Sequence, residues 1–238
     1  MLKIAINEFK KYKYKLDLLW LIVFILLQCI YFVSNNIYKD GFDLTISLDR
    51  QIPLISIFVF PYIFWYLYMI IGYILISLKD RKEFMRVLIG QFIGMLISYS
   101  IFFIFPTKIS RPIISSEGVL NTLINTIYLL DRPFNCFPSL HVLGTYFIMR
   151  YTKKNNNKYI YYYTQVVGVL IIFSTVFIKQ HFVLDVITSI IMVEVINILI
   201  KRISDEKLEK LLKIPYLLLK KITSFFNRFI KKKPINKD

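Results

Sequence analysis

The sequence predicts an all-α membrane protein: a bundle of six transmembrane helices followed by a basic amphipathic tail. Hydrophobic residues make up 56% of the 238-residue chain and charged residues only 19%, whereas soluble domains are about one quarter charged. The charges cluster between apolar segments, and ~20 apolar residues suffice for a helix to cross the hydrocarbon core. We therefore expect one membrane domain over residues 1–200 and a tail over 201–238.

Six apolar segments are candidate spans. They cover approximately residues 18–34, 54–78, 87–105, 139–150, 159–178 and 182–200. The first follows a basic stretch, as a signal peptide does, but no small-residue cleavage site comes after it, so we interpret it as a retained span. The fourth is short for a membrane crossing, but the distribution of charge indicates that it does cross.

Lysine and arginine occur in four clusters, and all four fall on one side of the membrane if all six segments cross it. The clusters are Lys3, Lys10, Lys11, Lys13 and Lys15; Lys79, Arg81, Lys82 and Arg86; Arg150, Lys153, Lys154 and Lys158; and the tail. The positive-inside rule assigns that side to the cytoplasm. Both termini are thus predicted to be cytoplasmic in the cell membrane, with segments 35–53, 106–138 and 179–181 facing outward.

The tail carries much of the basic excess. Residues 201–238 hold 12 Lys and Arg against 4 Asp and Glu, a net +8 of the chain's +16. Leucine, isoleucine and phenylalanine recur there every three or four residues, a pattern typical of an amphipathic helix. We expect this helix to lie on the anionic inner leaflet. Packing on a partner protein is the alternative, and a nucleic-acid partner fits this distribution poorly.

The chemistry-bearing residues lie at the outer ends of the predicted spans. His141 and His181 are the only histidines, and Asp185 follows His181 by four residues, on the same helical face. A carboxylate there can orient the imidazole as a nucleophile, and a second histidine can donate a proton. Arg111 and Ser139 offer phosphate ligands. Taken alone, these residues also fit a structural His-Asp pair, an arginine that reaches the headgroups and a plain N-cap.

The motifs together resemble the type 2 phosphatidic acid phosphatase superfamily. They are Arg111-Pro112, then Phe137-Pro138-Ser139-Leu140-His141, then Ser174-Thr175-x5-His181-x3-Asp185, and the resemblance covers about residues 85–200, the expected catalytic core. It implies a phosphohistidine formed on His181, which Asp185 orients, and proton donation by His141. It also implies phosphate binding by Arg111 and Ser139, with no metal or other cofactor.

Three positions depart from the family pattern. Ile104 and Thr175 stand where the family has a lysine and an arginine, and Leu140 replaces a glycine. Lys179, two residues before the predicted nucleophile, is our first candidate for a replacement cation, followed by Lys108; Arg132 is also near in sequence. The departures resemble a divergent branch that includes relatives of inositol phosphorylceramide synthase, which transfer a headgroup between lipids.

The sequence therefore predicts metal-independent hydrolysis of a phosphorylated membrane lipid at the outer face. The nearest alternative is a lipid phosphotransferase that uses the same residues. A transporter with intramembrane His and Asp is an alternative of another class, although no paired repeat supports it. An inactive member that only binds lipid is a further one. The two cysteines, Cys29 and Cys136, have no metal-ligand spacing and are expected to be free thiols.

Overall fold

A computed structural model describes residues 16–115, 117–153 and 157–231. These residues form helices joined by loops, with no β-strand among them. The helices are α1 (Leu21–Ile37), α2 (Ser47–Gln51), α3 (Val59–Lys79), α4 (Arg81–Ile104), α5 (Val119–Leu130), α6 (Leu140–Tyr151), α7 (Lys158–Phe177), α8 (Val183–Ile200) and α9 (Asp205–Lys231). Short 3₁₀ turns, Leu18–Trp20 and Ser56–Phe58, precede α1 and α3.

Five of the described helical segments are long and apolar enough to cross a membrane, which fits a multi-pass membrane protein. They are Leu18–Ile37, Ser56–Lys79, Arg81–Ile104, Lys158–Phe177 and Val183–Ile200. They correspond to five of the six predicted spans. The third begins earlier than expected because Asp80 caps it, accepting hydrogen bonds from the backbone N–H groups of Lys82 and Glu83. Helix α6, the remaining segment, has 12 residues, and its crossing stays a prediction.

Helix α6 is nevertheless the centre of the bundle. Most of its residues are buried, and it packs against α3, α4, α7 and α8. Glycines on the neighbouring helices allow this close approach: a Cβ added to Gly94 would lie 2.5 Å from Leu143, and one added to Gly72 would lie 2.6 Å from Ile148. Gly90 and Gly168 meet Phe147 and Met149 in the same way. Small residues at such contacts bring helix backbones together where lipid offers no hydrophobic drive.

Ion pairs gather the basic segments at one end of the bundle, which we call the basic end. Lys153 Nζ lies 2.8 Å from Glu83, Lys82 Nζ lies 2.8 Å from Asp205, and Arg81 contacts Asp17. The chain therefore runs alternately between this end and the opposite one, α6 included. The arrangement agrees with the predicted clustering of charge; the lysines at 3–15 lie outside the described residues.

Helix α9 starts at the basic end and is anchored there. Leu208 and Leu212 are buried in the core below α4, while Lys82 reaches both Asp205 and Glu209. Farther along, the apolar residues Leu217, Leu218 and Ile222 are exposed. The helix continues through Pro215, and residues 232–238 of the predicted tail lie outside the described part.

The opposite end, which we call the site end, is built from the long loops. Phe42 and Thr107 form one isolated β-bridge, and Lys108 and Phe134 form another. These bridges tie the loop after α1 to the two loops that flank α5. Helix α5 was not predicted. It lies inside the segment expected to face outward and packs Ile124, which is fully buried, against the first turns of α3.

Candidate functional site

A tight turn between α7 and α8 presents His181. The carbonyl of Thr175 accepts hydrogen bonds from the backbone N–H groups of both Gln180 and His181, at 2.9 and 3.0 Å. Lys179 adopts a positive φ of 55°, which lets the chain reverse within a few residues. The imidazole of His181 thus projects from the turn just before α8 begins.

One nitrogen of His181 is held and the other is free. Nδ1 lies 3.0 Å from Asp185 Oδ2 and 3.0 Å from the carbonyl oxygen of Cys136. Both neighbours only accept hydrogen bonds, so Nδ1 must carry the proton. Asp185 is itself fixed: its side chain is fully buried and accepts from the backbone N–H of Phe182 at 3.0 Å. Nε2 has no partner among the described residues, so its lone pair is available for attack on an electrophile.

His141 faces His181 from the first turn of α6. The two ring centroids are 5.9 Å apart. Tyr62 stacks on His141 at 4.6 Å and Trp65 packs on it at 4.3 Å. Nε2 of His141 is buried and has no hydrogen-bond partner in the described chain. The arrangement leaves a protonatable nitrogen on each side of one small space, which suits proton transfer to or from a group bound between them.

Arg111 reaches the site from the loop between α4 and α5. Its Nη1 donates to the carbonyl oxygen of Asp131 at 2.7 Å, and its Nη2 donates to Gln180 Oε1 at 2.5 Å. The guanidinium also lies over the ring of Tyr128, 4.6 Å from its centroid. Nε is buried without a partner within the described ranges. The cation is thus held rigidly beside the turn that carries His181.

The other predicted phosphate ligands have different surroundings. Ser139 is fully buried, and its Oγ caps α6 by accepting from the Val142 N–H at 3.3 Å. Lys179 lies beside His181 in one cavity, but its Nζ donates to the carbonyls of Asp49 and Ile52. Burial lowers the pKa of Lys179, and the nearby Asp49 carboxylate opposes that shift. Ser139 and Lys179 therefore already have protein partners.

Lys108 lies away from the histidines. Its Nζ pairs with Asp40 at 3.3 Å, and burial is low on both sides. It lines neither cavity that contains His181. Arg132, also considered from the sequence, donates to the carbonyl oxygen of Asn36 at 2.9 Å. The structure therefore brings Arg111 and Lys179 close to His181, and it does not bring Lys108 there.

His181 stands where two cavities meet. The larger, of about 740 Å³, lies between α1, α3, α4 and α5 and also contains His141. Its mouth is formed by exposed apolar residues of α1 and α3, among them Ile25, Phe32, Ile63 and Ile70. The stacked rings of Phe24 and Tyr73, 6.1 Å apart, lie at its far end. The smaller cavity, of about 480 Å³, opens at the site end and is lined by Arg50, Arg111 and Lys179.

Several residues of the site were not predicted as ligands. Gln180 holds Arg111, Tyr62 and Trp65 pack on His141, and Asp131 lines the larger cavity. Burial raises the pKa of the Asp131 carboxyl, while the hydrogen bond from Tyr31 at 2.7 Å and the charge of Arg111 oppose the shift. The segment Asp131–Asn135 was visible in the sequence as a polar stretch before the second motif. Nothing in the spacing pointed to Gln180.

One matched segment contains both histidines together with Asp185, Arg111 and Gln180. A model of the PAP2 superfamily matches residues 41–199. The chain belongs to the PAP2 superfamily. The match extends from the loop before α2 to the end of α8, so it is wider than the core expected at 85–200. PAP2 superfamily members are generally phosphatases or phosphotransferases. No curated protein and no solved structure matched the chain.

Among the described residues, no group of three or more His, Cys, Asp or Glu side chains could hold a metal ion. The site brings together two imidazoles, a buried carboxylate and a guanidinium.

Proposed function

We propose that this protein is a lipid phosphate phosphatase that acts through a phosphohistidine at His181. One observation carries the proposal: Nδ1 of His181 is held by Asp185 while Nε2 is free and faces His141 across the inner end of an apolar cavity. A free, oriented imidazole nitrogen opposite a second imidazole is the arrangement that two-step phosphoryl transfer requires.

In the first step, Nε2 of His181 attacks the phosphorus and the bond from phosphorus to the lipid oxygen breaks. The leaving oxygen takes a proton from His141, so a neutral lipid alcohol departs. Phosphate charge beside His141 favours its protonated ring, and the faces of Tyr62 and Trp65 stabilise that cation. Asp185 stabilises the positive charge that develops on the ring of His181.

In the second step, water attacks the phosphorus of the phosphohistidine. His141, now neutral, takes the proton of that water, and the bond from phosphorus to Nε2 breaks. Inorganic phosphate leaves and both histidines return to their initial states. Arg111 contributes positive charge beside the phosphate oxygens throughout. The smaller cavity, with Arg50 and Lys179, offers a polar exit at the site end.

The larger cavity supports a lipid as the substrate. Its mouth between α1 and α3 is apolar and faces the side of the bundle, so a lipid can enter from the membrane with its tail in the gap. The phosphate then reaches His181 at the site end. We place this end at the outer face of the cell membrane, with both termini cytoplasmic, because the basic end carries the lysine and arginine clusters.

Transfer to a second alcohol is the closest alternative, as in the branch related to inositol phosphorylceramide synthase. The cavity of about 480 Å³ on the other side of His181 has room for an acceptor in place of water. The two reactions share the first step and differ in what attacks the phosphohistidine. The departures at Ile104 and Thr175, where the family has cations, are common to both.

Phosphate release by the purified full-length chain in chelator tests the proposal. The assay covers a panel of lipid phosphates, each with and without added polyol or lipid alcohol, and the His181→Ala protein serves as the blank. Release that needs His181 supports the phosphatase, and a phosphorylated acceptor supports the transferase. Inertness towards every lipid contradicts both and favours a transporter or a lipid-binding member.

We also propose that the exposed part of α9 lies on the anionic inner leaflet. Leu217, Leu218 and Ile222 are exposed, and the same stretch of α9 carries exposed Lys213, Lys220 and Lys221, a combination suited to an interfacial helix. A membrane-impermeant maleimide in intact cells tests the orientation in a Cys29→Ala background. Lys39→Cys should be labelled and Ser204→Cys should not; the reverse pattern contradicts the proposal.

A further inference from the structure

The turn that carries His181 is held at both of its ends by helix α2. At one end, Nζ of Lys179 donates to the main-chain carbonyl oxygens of Asp49 and Ile52, at 3.0 and 2.5 Å. At the other end, the backbone N–H of Val183 donates to Asp49 Oδ1 at 2.8 Å. Asp49 therefore contacts the chain two residues before His181 and two residues after it.

Helix α8 begins without a side-chain cap of its own. Its N-cap residue is Phe182, whose side chain has no hydrogen-bond acceptor, whereas N-cap residues usually supply a Ser, Thr, Asn or Asp oxygen. Two carboxylates accept from the N–H groups left over. Asp185 accepts from Phe182, and Asp49 accepts from Val183. Because the positive end of the helix dipole also favours a carboxylate there, Asp49 supplies the cap that the sequence of α8 lacks.

The backbone of Lys179 is strained where α2 holds it. Its φ of 55° lies in the left-handed region, which is costly for a residue with a Cβ. Strained residues persist where the surrounding contacts fix them, and they occur often at active sites. The two hydrogen bonds from Nζ to the carbonyls of Asp49 and Ile52 fix the side chain of this residue. They therefore help to keep the turn in the conformation that projects His181.

Asp49 is itself held in place. Its Oδ2 accepts from the backbone N–H of Ile46 at 2.9 Å, so both carboxylate oxygens have a donor. The loop after α2 adds a main-chain link, because the N–H of Ile55 donates to the carbonyl oxygen of Phe177 at 3.1 Å. The α2 segment is thus connected to the end of α7, to the turn and to the start of α8.

We propose that Asp49 is a positioning residue for His181, with Lys179 as its partner across the turn. Asp49 acts through the backbone on either side of the nucleophile, and a misplacement of ~1 Å at a reacting group can cost ~10²-fold in rate. Lys179 holds the turn in place of binding phosphate, the role expected from its position in the sequence. The inference rests on the proposed function, which takes His181 as the nucleophile.

Steady-state kinetics of the full-length protein test this role. The substrate is a lipid phosphate that the wild-type protein hydrolyses, beginning with phosphatidic acid in mixed micelles. Asp49→Asn has one acceptor oxygen in place of two, so it cannot keep the bonds to both Ile46 and Val183. Asp49→Asn and Lys179→Met should each lower kcat roughly ten- to a hundredfold and keep KM within about threefold, because chemistry and not binding is impaired. Asp43→Asn, in the loop before α2, is the matched control and should keep wild-type kinetics.

Nuclear magnetic resonance gives a readout that does not need activity. His141 and His181 are the chain's only histidines, so ¹⁵N-histidine labelling, with a purification tag that contains no histidine, gives ring signals from these two residues. When the rings are neutral, the ¹⁵N shifts report which nitrogen carries the proton. Both Asp49→Asn and Lys179→Met should lower the share of His181 protonated on Nδ1, so that its two ring shifts move towards each other. The signals of His141 and of the Asp43→Asn protein should not change.

The two readouts together decide the inference. A fall in kcat with wild-type His181 signals, or altered signals with wild-type kcat, overturns it. A raised KM with unchanged kcat in Lys179→Met also overturns the role given to that residue, since it indicates phosphate binding. Where Asp49→Asn does not fold, Lys179→Met carries the test, because it leaves Asp49 intact. Absence of release by the wild-type protein contradicts the proposed function alone, and the His181 signals then decide whether α2 holds the ring.

Discussion

The carbonyl oxygen of Cys136 lies 3.0 Å from Nδ1 of His181. This contact joins the loop that precedes α6 to the turn that precedes α8. The same loop therefore positions both His141 and His181. Because the partner is a main-chain oxygen, substitution of the Cys136 side chain leaves the hydrogen bond in place. The orientation of the His181 ring therefore depends on how the loop folds and on the contact with Asp185.

The His-Asp pair gives the most direct prediction. His181→Ala should abolish turnover, and Asp185→Asn should lower kcat roughly 10²–10⁴-fold, because the amide no longer stabilises the charged ring. Steady-state phosphate release measures both. Asp43→Asn, in the exposed loop after α1 where the Asp43 carboxylate accepts hydrogen bonds from Thr45, is the matched control and should retain activity. An active His181→Ala protein would contradict the proposed nucleophile.

The loss of rate caused by removing His141 should be larger for a substrate with a poorer leaving group. With a lipid phosphate, His141→Ala should lower the rate of the first step roughly 10²–10⁴-fold, the usual contribution of a general acid. With p-nitrophenyl phosphate, whose leaving group needs no proton, the loss in that step should be far smaller. Rapid-quench kinetics of nitrophenol release measure it. Equal losses with both substrates would show that His141 does not protonate the leaving oxygen.

We expect Arg111 to bind the phosphate and Gln180 to hold Arg111 in position. Arg111→Lys keeps the charge but loses the fork that contacts Gln180 and Asp131, so we expect activity to fall by at least about tenfold. Gln180→Leu removes the acceptor that holds Nη2 and should raise KM for the phosphate-bearing substrate. The ratio of kcat to KM in each variant is the measurement. Wild-type kinetics in Gln180→Leu would contradict its positioning role.

The close approach of α4 to α6 should be sensitive to a single methyl group. Gly94→Ala places a Cβ 2.5 Å from Leu143 Cδ1, and overpacking of this kind costs about 1–3 kcal/mol. The midpoint of thermal unfolding in detergent should therefore fall. Ser100→Ala, on an exposed face of the same helix, serves as the comparison and should leave the midpoint nearly unchanged. Equal midpoints for both variants would show that α6 can shift without cost.

Much of the fold was predictable from length and hydropathy. The five long apolar helices match predicted segments. His181 and Asp185 are in contact as expected, but His181 lies in the turn before α8 and not on the same helical face. Helix α5 was missed because its residues were considered only as part of an outward segment, although Leu120, Leu123, Ile124 and Ile127 recur at helical spacing. Its apolar face packs on the bundle.

The polar partners of the site were less predictable, for a physical reason. Candidate phosphate ligands were chosen as cations that lie close to the motifs in sequence. The amide of Gln180 and the carbonyl of Cys136 are uncharged, so this criterion does not select them. Lys108 is near Arg111 in sequence, yet the bridge between Lys108 and Phe134 directs it towards Asp40. Which side chains come into contact depends on how the loops pair in three dimensions. The spacing of residues in the sequence does not contain that information.

The stacked rings of Phe24 and Tyr73 bear on where the substrate comes from. They line the larger cavity away from the histidines, so the histidines lie at one end of that cavity. On the proposed function, a lipid phosphate in the leaflet at the site end has the shorter path to His181. Turnover in the cell would then depend on the amount of substrate in that leaflet as well as on chemistry.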